Sequence, residues 1–249
     1  MIGSARARST QARKLRADHI LDVASDLLLR WGYARLTIDD IARHAGVGKG
    51  TVYLHWNTRE DLFYSVIMRQ QLAAVEEQLA ALRRDVTEVQ VHRLVRWKYT
   101  TVMRRPILRA ILRADPEILG RLVQFAKGSE LVKLLGTVST DYYRALIDHG
   151  LMRDDLSMTD LLFEMGAMTM GFFTADTFMS VFGADPALER KADLLEDAIR
   201  RSFALPPTDE ALRAVAPMVV ELFERSREMC VEYLKQSYAP PVLPTGEQP

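Results

Sequence analysis

Apolar residues recur at helical spacing along nearly the whole 249-residue chain, and the alternation that marks strands is almost absent. That restricts the chain to an all-α fold, in which each helix buries an apolar stripe against other helices. Ile20, Val23, Ala24, Leu27, Leu28 and Trp31 make the first stripe, and Gly32 supplies a stop just beyond it. Thr37 is a good N-cap for a short second helix with Ile38, Ile41, Ala42 and Ala45 on one face. Gly46 can take the positive φ of a tight turn, and a third short helix runs from about Gly48 to Leu54. Asn57 and Thr58 offer caps for a long helix carrying Leu62, Val66, Leu72, Val75, Leu79 and Leu82.

The same pattern continues to the C-terminal end. Thr87 opens a segment to about Met103, and Pro106 breaks it. Asp115 and Pro116 pair an N-cap with a proline at the first helical position, opening a helix over 116–127. Ser129 opens a helix with Leu131, Leu135, Val138, Tyr142 and Ala145 on one face, stopped by Gly150. Residues 158–182 read as a long helix that is apolar nearly all round. Asp185-Pro186 opens another, with Leu188, Ala192, Leu195 and Ile199. Pro206-Pro207 separates it from a last helix at 208–238, which Pro217 should kink or split. The chain carries no internal repeat.

The stretch GVGKGTVYLHW, residues 46–56, is an odd helix by propensity, since each mid-helix glycine costs about 1 kcal/mol against alanine. Two short helices joined by a glycine turn after a longer helix form a helix-turn-helix, whose second short helix enters the major groove of DNA. That placement accounts for the composition. Gly48 and Gly50 let the backbone approach. Lys49, Thr51, Tyr53 and His55 supply polar groups for phosphates and base edges. Val47, Val52 and Trp56 hold the helix onto its neighbours. Charge distribution agrees. Net charge is zero, yet residues 1–60 hold ten Lys/Arg against six Asp/Glu, an excess of +4 that the remainder balances at −4.

The stretch LTIDDIARHAGVGKGTVYLHWNTREDLF, residues 36–63, resembles the DNA-binding signature of TetR-family transcriptional regulators. Shared features are an N-capping Thr, a DIA-like core, an AGV turn, a KGTxY recognition helix, an aromatic pair and a basic-Glu-x-Leu opening to the fourth helix. The chain departs from it in having Gly48 for the usual Ser or Thr, Arg59 for Lys and Trp56 for Phe. The resemblance implies an N-terminal three-helix DNA-binding domain followed by a helical ligand-binding and dimerisation domain. It places the helix-turn-helix domain at 12–57 and the helical body at 58–238, while composition alone reads a disordered basic arm at 1–11 and a disordered Pro-rich tail at 239–249. It implies DNA contacts from Thr37, Lys49, Gly50, Thr51, Tyr53, His55 and Arg59, with Arg13 and Arg16 reaching a neighbouring groove. Plain structural readings stand beside these: Tyr53 packed on the domain core, His55 a surface histidine, Arg13 and Arg16 solvated charges.

Members of the family usually dimerise through a four-helix interface, so the resemblance points to a homodimer on double-stranded operator DNA. On the 158–182 helix, Phe163, Ala167, Met170, Gly171, Thr174 and Phe178 fall on one side, the expected dimer face. Leu162, Met165, Thr169, Phe172 and Asp176 fall on the other. Burial of both sides inside one chain is the competing reading. The inward side would line a cavity with Trp97, Thr101, Met103, Phe125, Tyr142 and Tyr143, fitted to a mostly apolar small-molecule effector. Asp176 would there pair with a cationic ligand. The expected function is that of a repressor released from a palindromic operator by such a molecule. The alternative is a regulator that ignores ligands or requires a co-ligand.

Other classes find little support. Cys230 is the sole cysteine, so no internal disulfide can form, and the five histidines have no metal-ligand spacing. No cofactor or metal site is expected. GVGKGT lacks the spacing and preceding strand of a phosphate loop, and no catalytic triad pattern is present. No run of about 20 apolar residues exists, and no signal-peptide core, which points to a cytoplasmic protein.

Overall fold

The computed structural model describes residues 2–113 and 130–238, with the side chains of 2–7, 9, 110–113, 130–135, 176–178 and 180 left aside. Among the described residues the fold is all-α. Its helices are α1 (Ile2–Trp31), α2 (Ile38–His44), α3 (Lys49–Tyr53), α4 (Arg59–Arg84), α5 (Val91–Arg104), α6 (Pro106–Arg113), α7 (Glu130–Asp148), α8 (Met158–Met179), α9 (Leu188–Phe203) and α10 (Asp209–Tyr238). Met152 and Ala204 form an isolated antiparallel bridge, and no strand is present among the described residues. The helix expected over 116–127, with Phe125, lies outside the described residues, as does the 239–249 tail.

The chain forms two compact units, Met1–Gln70 with Cys230–Pro249, and Gln71–Met229. In the first unit the stops and caps do what their chemistry requires. Gly32 adopts φ +74° beyond α1, and Thr37 caps α2 in a reciprocal box with Asp40. Gly46, at φ +65°, makes the turn into α3. Ile20, Leu21, Leu36, Ile41, Val52, Trp56, Leu62 and Phe63 are buried and form the core, joined by Cys230 and Leu234 of α10.

The second unit has its own core. Tyr99 and Val95 of α5, Leu146 of α7, Leu161 and Met165 of α8, Leu195 and Ile199 of α9 and Val215 and Val219 of α10 are buried together. Helix α5 packs along α9, and on their exposed rim Arg96 binds Glu189, Asp193 and Glu196.

Two expectations change, at Thr87 and Pro217, and the first unit shows two further features. The basic arm is helical from Ile2, in register with α1. The segment contains no proline, and Ala5, Arg6, Ala7, Arg8 and Gln11 are good helix formers. The first compact unit runs to Gln70 within α4 and takes in the end of α10. The segment expected to open at Thr87 starts as a 3-10 turn, Val86–Val89, capped by Asp85, and α5 begins at Val91. Pro217 does not split α10, which runs on through it. It sits on the exposed face, opposite buried Leu212, Val215, Val219 and Leu222, so water can satisfy the carbonyl it orphans while packing holds the helix.

Candidate nucleic-acid interface and ligand cavity

Helix α3 has only five residues, and its position is set by its neighbours. Its N-cap is Gly48, in extended conformation with no side-chain cap bond. Val47 N donates to Ala42 O at 3.0 Å and ties the turn to α2. Buried Val52 and Trp56 fix the inner face. The Trp56 indole donates to Ser65 Oγ at 2.8 Å, and Ser65 Oγ lies 3.2 Å from Ser237 Oγ. At the far end Arg13 donates to the carbonyl of Leu54, the C-cap residue.

The outer face presents Thr37, Lys49, Gly50 and Tyr53, all exposed, with Thr51 half-buried. Lys49 Nζ is 2.8 Å from Asp39 Oδ2, a solvent-exposed pair that raises the ammonium pKa. Such a pair is weak and can be exchanged for a phosphate. A Cβ built on Gly50 would meet nothing within 4 Å, so nothing inside the chain requires glycine there.

Two expected DNA ligands have other partners. Arg59 is half-buried. It donates to Leu36 O at 3.1 Å, and its guanidinium stacks 4.3 Å from the centre of the Tyr33 ring. His55 is buried, with Nδ1 2.9 Å from the Ser237 carbonyl. Since a carbonyl only accepts, Nδ1 carries the proton and donates it. Burial lowers the His55 pKa, the carbonyl opposes that shift, and nearby Arg13 and Arg16 add to it, so the ring is neutral at pH 7. His55 therefore points inward as a tie between the end of α3 and the end of α10. No local pattern signals this, because Ser237 is 182 residues away.

The second unit encloses a cavity of about 190 Å³. Of the expected ligand residues, Trp97, Thr101, Tyr142, Tyr143, Met165 and Thr169 line it. Met103 is core and Phe172 packs against the core without lining the cavity. The side chains of Phe125 and Asp176 lie outside those described. Tyr142 donates its hydroxyl to Val89 O at 2.8 Å, so it offers the cavity mainly its ring. Burial pushes the Tyr143 phenol up to about 12, which keeps it a hydrogen-bond donor.

Lys98 also lines the cavity and was not among the expected residues. It falls on the same α5 face as Leu94, Trp97 and Thr101, so the helical spacing that selects Trp97 and Thr101 selects it too. Burial lowers its ammonium pKa, yet the side chain keeps accessible surface. Its surface is open, and the cavity is a space it borders.

On α8, Phe163 is 75% exposed and Met170 47%, and Ala167, Gly171 and Thr174 are exposed beside them. Phe178 of the same expected face has no described side chain. Among the described residues no group of His, Cys, Asp and Glu could hold a metal, and no helix is long and apolar enough to cross a membrane.

Residues 20–66 match the model of bacterial regulatory proteins of the tetR family. The regulator AlkX of Mycobacterium tuberculosis is 32% identical over 75 residues, 30% of this chain and 36% of AlkX. The regulator TtgR of Pseudomonas putida is 29% identical over 120 residues, 48% of this chain and 56% of TtgR. The chain thus spans only about a third to a half of the length of these relatives. The fold is similar to that of SmeT of Stenotrophomonas maltophilia, solved with triclosan. The likeness has a TM-score of 0.56 at 19% identity and covers 79% of this chain and 94% of SmeT.

Proposed function

We propose that this chain, whose residues 20–66 match the tetR family of bacterial regulatory proteins, is a dimeric repressor that leaves a palindromic operator when a small, mostly apolar molecule enters the Gln71–Met229 unit. The observation that carries the proposal is the outer face of α2 and α3. Gly50 has no internal reason to be glycine, and Thr37, Lys49, Thr51 and Tyr53 surround it. A flat backbone patch ringed by donors suits close approach to a phosphate backbone and base edges. His55 and Arg59 serve that surface from behind, through Ser237, Leu36 and Tyr33.

One short recognition helix reads only a few base pairs, so two copies are needed on half-sites about 34–36 Å apart or a multiple of that. The exposed apolar side of α8, with Phe163, Ala167, Met170, Gly171 and Thr174, is the proposed seat of the second copy, with α9 completing a four-helix interface. The cavity is the proposed effector site. SmeT, which shares the fold, is the repressor of a multidrug efflux pump and has been solved with triclosan. Effector binding represses or releases only through its difference in affinity for the two dimer states.

The test is selection of genomic DNA fragments by the purified protein at moderate salt, with sequencing of what is retained. A palindrome near the protein's own gene is the expected result. Retention with no preferred sequence, across added candidate effectors as well, overturns the proposal.

A further inference from the structure

We propose that the cavity binds a small amphipathic monocarboxylate, an aryl or short alkyl acid whose carboxylate pairs with Lys98. The inference deepens the effector reading above and rests on that cavity being the effector site.

The charge pattern of the lining carries it. Lys98 is the only charged side chain among the described residues that line the cavity, so no described carboxylate lines it. Among the described residues no acid is paired with Lys98 in the chain either. The rest of the wall is chiefly aliphatic and aromatic, with Trp97, Val138, Tyr142 and Phe223 on its surface. The ammonium keeps surface open to the cavity and has no counter-ion among the described residues, and crowding a lone charge with apolar groups is costly. Its pKa is accordingly lowered by desolvation. A ligand anion removes the imbalance and gains a charge-assisted hydrogen bond at the same step.

The polar neighbours fit the same head group. Thr101 and Thr169 line the wall, and the Tyr143 phenol stays protonated, so hydroxyl donors are available to the second carboxylate oxygen. A cationic ligand would meet Lys98 as a like charge. The size also restricts the ligand. A space of about 190 Å³ modestly exceeds the ~150 Å³ cavity known to hold benzene, so one ring with a short acidic arm fits better than a long acyl chain.

The experiment is calorimetric titration of the full-length protein, without DNA, by three probes of one shape: 3-phenylpropionate, 3-phenylpropan-1-ol and 3-phenylpropylammonium. The acid should bind roughly 10- to 100-fold more tightly than the alcohol, and the amine most weakly. Lys98→Met should abolish the preference for the acid while the alcohol still binds, and should raise Tm because an uncompensated ammonium is gone. Lys98→Arg should retain the preference. Equal binding of the three probes, no binding of any, or an acid preference that survives in Lys98→Met overturns the proposal. A fall in Tm of Lys98→Met with no change in probe selectivity overturns it too, since the ammonium is then committed to a partner within the chain. DNA is absent from the titration, so failure of the operator selection and failure of this inference are separate results.

Discussion

Lys49 and Gly50 sit side by side, and the structure gives them opposite profiles. Lys49 holds an exposed pair with Asp39, which contributes little to stability. Lys49→Ala should leave Tm nearly unchanged, weaken operator binding and lower the salt dependence of binding by about one counterion. Unaltered affinity would place the recognition helix elsewhere. Gly50 lies inside α3, where a methyl group meets nothing. Gly50→Ala should therefore stabilise the unit by about 0.5–1 kcal/mol and still weaken operator binding, a combination that a structural glycine cannot produce. Thermal melts and gel shifts on one preparation read both effects.

His92 provides a residue-scale test in the second unit. It is buried, and its Nδ1 has no hydrogen-bond partner among the described residues. Burial, with Arg93 and Arg200 nearby, lowers its pKa to about 4. The folded state thus holds it neutral while the unfolded chain protonates it below about pH 6.5. Its contribution is complete above that pH and is lost as pH falls towards 4, up to about 3 kcal/mol in all. His92→Leu should flatten this part of the stability profile between pH 6.5 and 4. Parallel profiles for the two proteins would show that His92 does not titrate with folding.

At the scale of elements, α10 is the least local part of the fold. Its middle contributes Leu222, Phe223 and Ser226 to the cavity wall, and its last turns belong to the N-terminal unit. There Cys230, Leu234 and Ser237 are buried, Tyr233 donates to Asp61 at 2.8 Å and Tyr238 to Asp18 at 2.9 Å. Burial of Leu234 alone is worth about 2 kcal/mol. A chain ending at Met229 should show faster amide exchange in α1–α3 and lose operator affinity, with Lys49 and Tyr53 intact. Unchanged exchange would make the α10 contacts incidental. The apolar stripe of 208–238 announces a helix, but the stripe does not say that its two ends serve different cores.

At the scale of the whole molecule, the proposed assembly rests on the exposed side of α8. Phe163, at 75% exposure, is the largest described apolar group on that side. Phe163→Arg should convert the protein to monomer in sedimentation velocity with unchanged helicity, and should weaken operator binding through lost bivalency. A persisting dimer would move the interface to another face.

The elements of this protein are written in its local sequence. Capping by Thr37, the positive-φ turns at Gly32, Gly46 and Gly150, and the 3.6-residue stripes all depend on near neighbours, so they are legible without a fold. The glycine-rich stretch at 46–56 likewise reveals a helix-turn-helix, because its spacing is itself local. Tertiary structure alone decided that His55 faces Ser237 instead of solvent, that the N-terminal unit runs to Gln70 and reclaims the end of α10, and that Lys98 stands in the cavity without a counter-ion among the described residues. Each depends on groups brought together from distant parts of the chain. Burial and charge pairing are properties of that assembled environment, and residue type and spacing do not encode them.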